Sequence, residues 1–143
     1  MNRIVLIVFL LFYLGTYSLT AQAQKAEIKF EKTVHDFGKF TESNSILTCS
    51  FLFTNVGKSP LVITQCVASC GCTIPMYSDK PIAPGKTGTI KVTYNGKGRM
   101  PGQFKKIITV MTNASNKLTR LCIQGEMLEN KKNTNASLIY DKQ

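Results

Sequence analysis

The chain has 143 residues, of which 43% are hydrophobic and 18% are charged, and its formal net charge is +10 at pH 7. This composition is typical of one globular domain and excludes a fibrous or wholly disordered chain. A positive charge attracts nucleic acids, anionic membranes and acidic glycans. Because the lysines are scattered and no nucleic-acid motif is present, we expect no nucleic-acid partner, and a surface glycan is the alternative that the charge favours.

The first 23 residues have the pattern of an export signal. Arg3 gives a positive start, Ile4 to Leu14 is an unbroken apolar run, and Ala21-Gln22-Ala23 is a small-x-small cleavage site. The apolar run is shorter than the roughly 20 residues that span a bilayer. We therefore expect residues 1–23 to be a signal peptide cleaved near Ala23, and an uncleaved membrane anchor is the alternative. The mature protein is then periplasmic or extracellular and is not an integral membrane protein.

The rest of the chain alternates apolar and polar residues between turn-forming Gly, Pro, Asn and Ser, which is the period of β-strands. About seven short strands are predicted, over residues 27–37, 46–54, 61–67, 73–78, 88–94, 104–111 and 118–125. This pattern favours an all-β fold, a single antiparallel β-sandwich over residues 24–128, with an open barrel as the alternative. Residues 129–143 are rich in Asn and Lys, and we expect a disordered C-terminal tail there.

Several short motifs follow one another along the predicted strands. They are His35-Asp36-Phe37-Gly38, Phe51-x-Phe53-Thr54-Asn55-x-Gly57, Ser69-Cys70-Gly71-Cys72-Thr73, Pro81-Ile82-x-Pro84-Gly85, Gly102-x-Phe104 and Gly125-Glu126. In this order they resemble the DUF1573 family, exported bacterial domains common in Bacteroidetes. The resemblance covers roughly residues 27–128. It implies an immunoglobulin-like sandwich akin to the major-sperm-protein type, and it supplies no established activity.

We expect the motif residues to serve the fold. His35 should form a hydrogen bond that fixes a strand end, Phe37 should anchor in the core, and Gly38 should allow a turn. In a strand, Asp36 points to the opposite face from His35, so the two do not form a catalytic pair. Turns are predicted at Asn55-Val56-Gly57 and at Pro84-Gly85. No catalytic residue is predicted, because the eight carboxylates of the chain are widely spread.

Reactive side chains are most concentrated at Cys66, Cys70 and Cys72, which are three of the five cysteines. One interpretation is a local disulfide within this cluster that pins the loop, although the sequence does not fix the pairing. A second is thiol–disulfide exchange, with a third thiol resolving the mixed disulfide. No Lys, Arg or His lies within the segment to lower a thiol pKa. A third interpretation is ligation of cuprous copper or zinc by the three thiolates.

The sequence therefore predicts a non-enzymatic module, without a cofactor or an assigned metal, for protein binding or assembly in the cell envelope. An exposed strand edge would accept a strand from the partner protein. The alternative function is thiol-dependent redox chemistry or copper handling by Cys66, Cys70 and Cys72.

Overall fold

The computed structural model describes residues 24–129, so the predicted signal peptide and nearly all of the predicted tail lie outside the described residues. The described chain contains eight strands: β1 (Ile28–Phe30), β2 (Val34–Thr41), β3 (Ile46–Asn55), β4 (Ile63–Ala68), β5 (Thr73–Met76), β6 (Thr87–Asn95), β7 (Gly102–Thr112) and β8 (Leu118–Leu128). A short 3-10 helix, Glu42–Asn44, joins β2 to β3. Within residues 24–129 no helix has the length and apolar character needed to cross a membrane.

The strands form two four-stranded sheets, in the orders β1-β3-β6-β5 and β2-β8-β7-β4. The predicted β-sandwich is confirmed. Antiparallel pairing holds for every pair but one, because β2 runs parallel to β8. The predicted strand over residues 27–37 is two strands in different sheets. Alternation could not reveal this crossing, since the inward residues of both sheets face the same core.

The core lies between the two sheets and is built from alternate residues of the long strands. Its fully buried apolar side chains include Phe51, Phe53, Ile90, Val92, Ile108, Val110, Leu121 and Ile123. Across the sheets, the rings of Tyr94 and Phe104 stack with their centroids 4.1 Å apart. Removing such side chains from water contributes about 1.5–3 kcal/mol each to stability. This rigid core fixes where the loops and the sheet edges lie.

Candidate functional site

The cysteine segment connects β4 to β5, where the chain passes from one sheet to the other. A disulfide joins Cys70 to Cys72, with their Cα atoms 5.3 Å apart. Ser69 N–H donates to the carbonyl of Ile107 at 2.9 Å, and Thr73 N–H donates to the carbonyl of Cys70 at 3.2 Å. The disulfide therefore lies in a short loop that hydrogen bonds fasten to β7 on one side and to the start of β5 on the other.

The three other cysteines, Cys49, Cys66 and Cys122, are free thiols. Burial raises the pKa of Cys66 and of Cys49 to about 11 each. Cys122 is buried on the outer face of its sheet, in register with Val34 and Ile107, and it is separate from the core. Exchange chemistry needs a thiol pKa lowered towards neutrality, and burial shifts the pKa of Cys66 in the opposite direction.

Cys66 should alkylate slowly in the folded protein. With a pKa of about 11, only about 0.1% of this thiol is thiolate at pH 8. We expect the rate with iodoacetamide to rise about tenfold per pH unit from pH 8 to pH 10, as the thiolate fraction does. Timed alkylation with peptide mapping measures this rate, and urea-unfolded protein is the control. A Cys66 thiol that reacts equally fast in folded and unfolded protein would support the exchange alternative.

The thiolate set proposed for a metal is not available while the disulfide is intact, because Cys70 and Cys72 are bonded to each other. Among the described residues, no group of three or more His, Cys, Asp or Glu side chains is arranged as a metal site. Copper handling through Cys66, Cys70 and Cys72 would thus require reduction of the bond by two electrons before the three sulfurs could bind.

The His-Asp-Phe-Gly motif forms a bulge in β2, where its register with β8 shifts between Asp36 and Lys39. Gly38 has a φ of +68°, a conformation that glycine adopts without strain. The Asp36 carboxylate accepts hydrogen bonds from Gln124 Nε2 at 2.9 Å and from Gly38 N–H at 2.7 Å. These bonds hold the pKa of Asp36 below its ordinary value. The motif therefore pins the bulge onto β8.

His35 lies in β2 before the bulge, and its imidazole packs edge-on against the ring of Phe37, with centroids 4.7 Å apart. The hydrogen bond expected of His35 stays a prediction. Partial burial, followed by the nearby charge of Lys32, lowers the pKa of His35. Phe37 itself packs against the core, as the sequence predicts.

A shallow cleft of about 500 Å³ lies at the bulge, between β2, β7 and β8. Three of the family motifs meet there, and the lining residues are Asp36, Gly38, Lys39, Gln103, Phe104, Lys105, Gln124, Gly125 and Glu126. A Cβ on Gly125 would lie 3.0 Å from the ring of Phe104 and 3.1 Å from the carbonyl of Gly38. The Asp36–Gln124 bond and a Lys39–Glu126 ion pair of 3.6 Å link its polar groups to one another. The polar side chains of the cleft therefore serve the pairing of β2 with β8, and we assign the cleft no ligand.

Asn55 is the centre of a second motif cluster, and its side chain is fully buried. Its Nδ2 donates to the carbonyls of Ser59 at 2.8 Å and Ile82 at 2.9 Å, and its Oδ1 accepts from Gly57 N–H at 3.0 Å. The N–H of Gly85 donates to the Asn55 carbonyl at 2.8 Å. The Asn-x-Gly and Pro-Gly motifs therefore hold two loops together, and their polar groups are engaged within the fold.

The sheet edges are the remaining candidates for binding, and four strands lie at edges: β1, β5, β2 and β4. β1 is closed by a side chain. Asn116 Oδ1 accepts from Ile28 N–H at 3.2 Å, and Asn116 Nδ2 donates to the Ile28 carbonyl at 2.7 Å. These bonds use the outward backbone groups of Ile28, and β1 has only three residues, so little of this edge is left for an added strand.

The free edge of β5 lacks available N–H groups because of its own residues. Asn95 N–H donates to the Cys72 carbonyl at 2.8 Å, so the alternation of an antiparallel ladder turns the backbones of Thr73 and Pro75 towards the free edge. Pro75 has no N–H, and the N–H of Thr73 is bonded to the carbonyl of Cys70. β2 is interrupted by its bulge, which is a common protection of an edge strand.

β4 is the open edge. It also has a register shift, between Ile63 and Gln65, but this lies at the start of the strand, and Cys66 to Ala68 pair regularly with β7. The Ser69–Ile107 bond and the register of Val67 with Thr109 place the backbone groups of Val67 against β7. The same alternation turns the N–H and C=O groups of Cys66 and Ala68 outward. In the described part of the chain, no loop hydrogen-bonds these groups. Beside them Val67 is 44% exposed, so β4 offers both backbone and apolar contacts.

Comparison with known families finds one match. The model of a family described as "Protein of unknown function (DUF1573)" matches residues 28–127. A search of curated proteins found no match.

Among solved structures, the chain is similar to a protein of unknown function from Porphyromonas gingivalis W83, with a TM-score of 0.63 and 16% sequence identity. The match covers 78% of this chain and 51% of that protein. The chain thus spans about half the length of that protein. The PapD-like domain 7 of human CEP192 gives a TM-score of 0.60 and 9% identity over 75% and 89% of the two chains. The periplasmic chaperone SfaE gives 0.55 and 11% identity over 78% and 64%. At these identities the likeness establishes an immunoglobulin-like, PapD-like fold.

Proposed function

We propose that this chain, which belongs to the DUF1573 family of unknown function, is a protein-binding module of the cell envelope that adds a partner's strand to β4. The observation that carries the proposal is the outward-facing backbone of Cys66 and Ala68. Soluble proteins usually protect their edge strands, because unpaired N–H and C=O groups bind other chains. Here three edges are protected and β4 is open, which is the arrangement that β-augmentation uses.

Three further observations support the proposal. The export pattern of residues 1–23 and the Cys70–Cys72 disulfide both suit an oxidising compartment, periplasmic or extracellular. The periplasmic chaperone SfaE has a similar fold. The polar motif residues Asp36 and Asn55 are hydrogen-bonded within the fold, which favours a non-enzymatic role. The disulfide also suits the thiol-dependent alternative, but the raised pKa of Cys66 opposes it.

Site-specific photo-crosslinking tests the proposed edge. A photoreactive phenylalanine analogue replaces Val67 on β4 in one variant and Ile74 on β5 in another, and both positions are exposed. We expect irradiation of exporting cells to link the partner to position 67, because the added strand lies beside β4, and to leave position 74 unlinked. Mass spectrometry of the adduct identifies the partner and the linked segment. Equal adducts from both positions, or no adduct from position 67, would refute strand addition at β4.

A further inference from the structure

We infer that the strand accepted by β4 is an acidic segment of another protein with bulky apolar residues at alternate positions. This inference rests on the proposed function and adds the chemistry of the partner. It follows from the side chains on the two faces of β4 and from the distribution of charge around it.

The inner face of β4 is lined by small side chains. Cys66 and Ala68 are half-buried and pack against the core, and so does Cys70 in the following loop. In the other sheet, β5 contacts β4 and presents the buried Thr73 and the half-buried Pro75. The side chains of an added strand that point inward would lie next to those of Cys66 and Ala68. Bulky apolar residues at these alternate positions would fill the space beside small ones and cover partly exposed core.

The surroundings of β4 are basic. Arg120 lies in the same cross-strand row as Val67, through Thr109, and Lys105 and Lys106 follow on β7. The carboxylates of this sheet, Asp36 and Glu126, lie on β2 and β8, away from β4.

The described chain as a whole also has a positive net charge, since residues 24–129 contain 14 Lys and Arg side chains and 7 Asp and Glu side chains. A positive field of this kind attracts acidic segments and speeds their association. It also opposes pairing of β4 with β4 of a second copy, because two basic surfaces would then face each other. Charge therefore favours a different, acidic partner.

Matched short peptides test the chemistry with the mature full-length chain. The first alternates Phe or Ile with Asp or Glu, the second replaces the acids with Lys, and the third groups the apolar residues of the first together. We expect the acidic alternating peptide to bind at least about tenfold more tightly than either control, by fluorescence anisotropy at low salt. Its advantage over the Lys peptide should shrink at high salt. Hydrogen exchange should show new protection at the amides of Cys66 and Ala68.

Two variants connect the binding to β4. Ala68→Pro removes an outward N–H that is free of β7, so the edge strand should still fold, and we expect about a tenfold loss of peptide affinity. Ala68→Lys keeps the N–H and places a charge on the inner face of β4, next to the added strand, and it should weaken binding by a similar factor. Circular dichroism checks that both variants are folded.

Three results would overturn the inference: equal affinity for the Lys peptide, equal affinity for the grouped peptide, or binding without amide protection at Cys66 and Ala68. A wild-type dimer that Ala68→Pro abolishes, seen by ultracentrifugation, would assign β4 to a second copy and would also overturn it. If position 67 still crosslinks to a partner while the peptides fail, the inference fails and the proposed function stands. If the peptides and the crosslink both fail, the proposed function fails as well.

Discussion

Asn55→Ala should lower the free energy of unfolding by about 3–5 kcal/mol. The substitution leaves the carbonyls of Ser59 and Ile82 and the N–H of Gly57 without their side-chain partner at a buried position. Each buried polar group that loses its partner costs about 1–3 kcal/mol. Urea unfolding followed by circular dichroism measures the change, with the m-value showing whether unfolding stays two-state.

Asn113→Ala is the matched control for this prediction. Asn113 also makes two side-chain hydrogen bonds, accepting from Val62 N–H at 2.9 Å and donating to the Pro60 carbonyl at 3.0 Å. Its side chain is exposed, so water replaces the lost partner and the expected cost is about 1 kcal/mol or less. If the two variants lose equal stability, burial is not what makes Asn55 important.

Gly57→Ala should lower the free energy of unfolding by about 3 kcal/mol or more, which is the upper range for inserting atoms into a packed site. A Cβ on Gly57 would lie 2.4 Å from the backbone N of Glu27 and 2.5 Å from the carbonyl O of Lys25. Backbone atoms cannot rotate away as a flexible side chain can, so the N-terminal segment would have to shift. Thermal unfolding should show a fall in Tm of about 10 °C or more.

Gly71→Ala provides the comparison within the same domain. Apart from its two chain neighbours, no residue has an atom within 4 Å of a Cβ placed on Gly71, so the stability should change by about 0.5 kcal/mol or less. A second readout separates local from global effects, because limited proteolysis of Gly57→Ala should cut first near Lys25 and Lys29. A Gly57→Ala variant as stable as the wild type would show that this contact is relieved at no cost.

The strands were predictable from the sequence because strands such as β3, β6 and β7 bury alternate residues. In β3, for example, Cys49, Phe51 and Phe53 are buried, whereas Ser50 and Leu52 between them are exposed. The crossing from β1 to β2 was not predictable, because alternation records which residues face the core and not which sheet carries them. For the same reason the parallel pairing of β2 with β8 was missed, since it joins Val34 to Cys122 at long range.

The candidate site was predicted only in outline. An open strand edge was expected, but which edge is open depends on contacts distant in sequence, such as that of Asn116 with Ile28. The protection of β5 could have been predicted from the sequence, because Pro75 has no N–H to donate to an added strand. The cysteine spacing likewise left the pairing undecided, since Cys66, Cys70 and Cys72 all lie close together in the chain.

The position of β8 has a consequence for the order in which the protein can fold during synthesis. β8 is the last strand of the described chain, yet it lies inside its sheet, between β2 and β7. Until Leu128 has been synthesised, β2 has no strand to pair with and half of the sandwich lacks an inner strand. Folding that depends on such distant pairing is slow and completes late. The sandwich can therefore close only after β8 has been made, so the last strand of the described chain is the one that joins the first strands to the rest of their sheet.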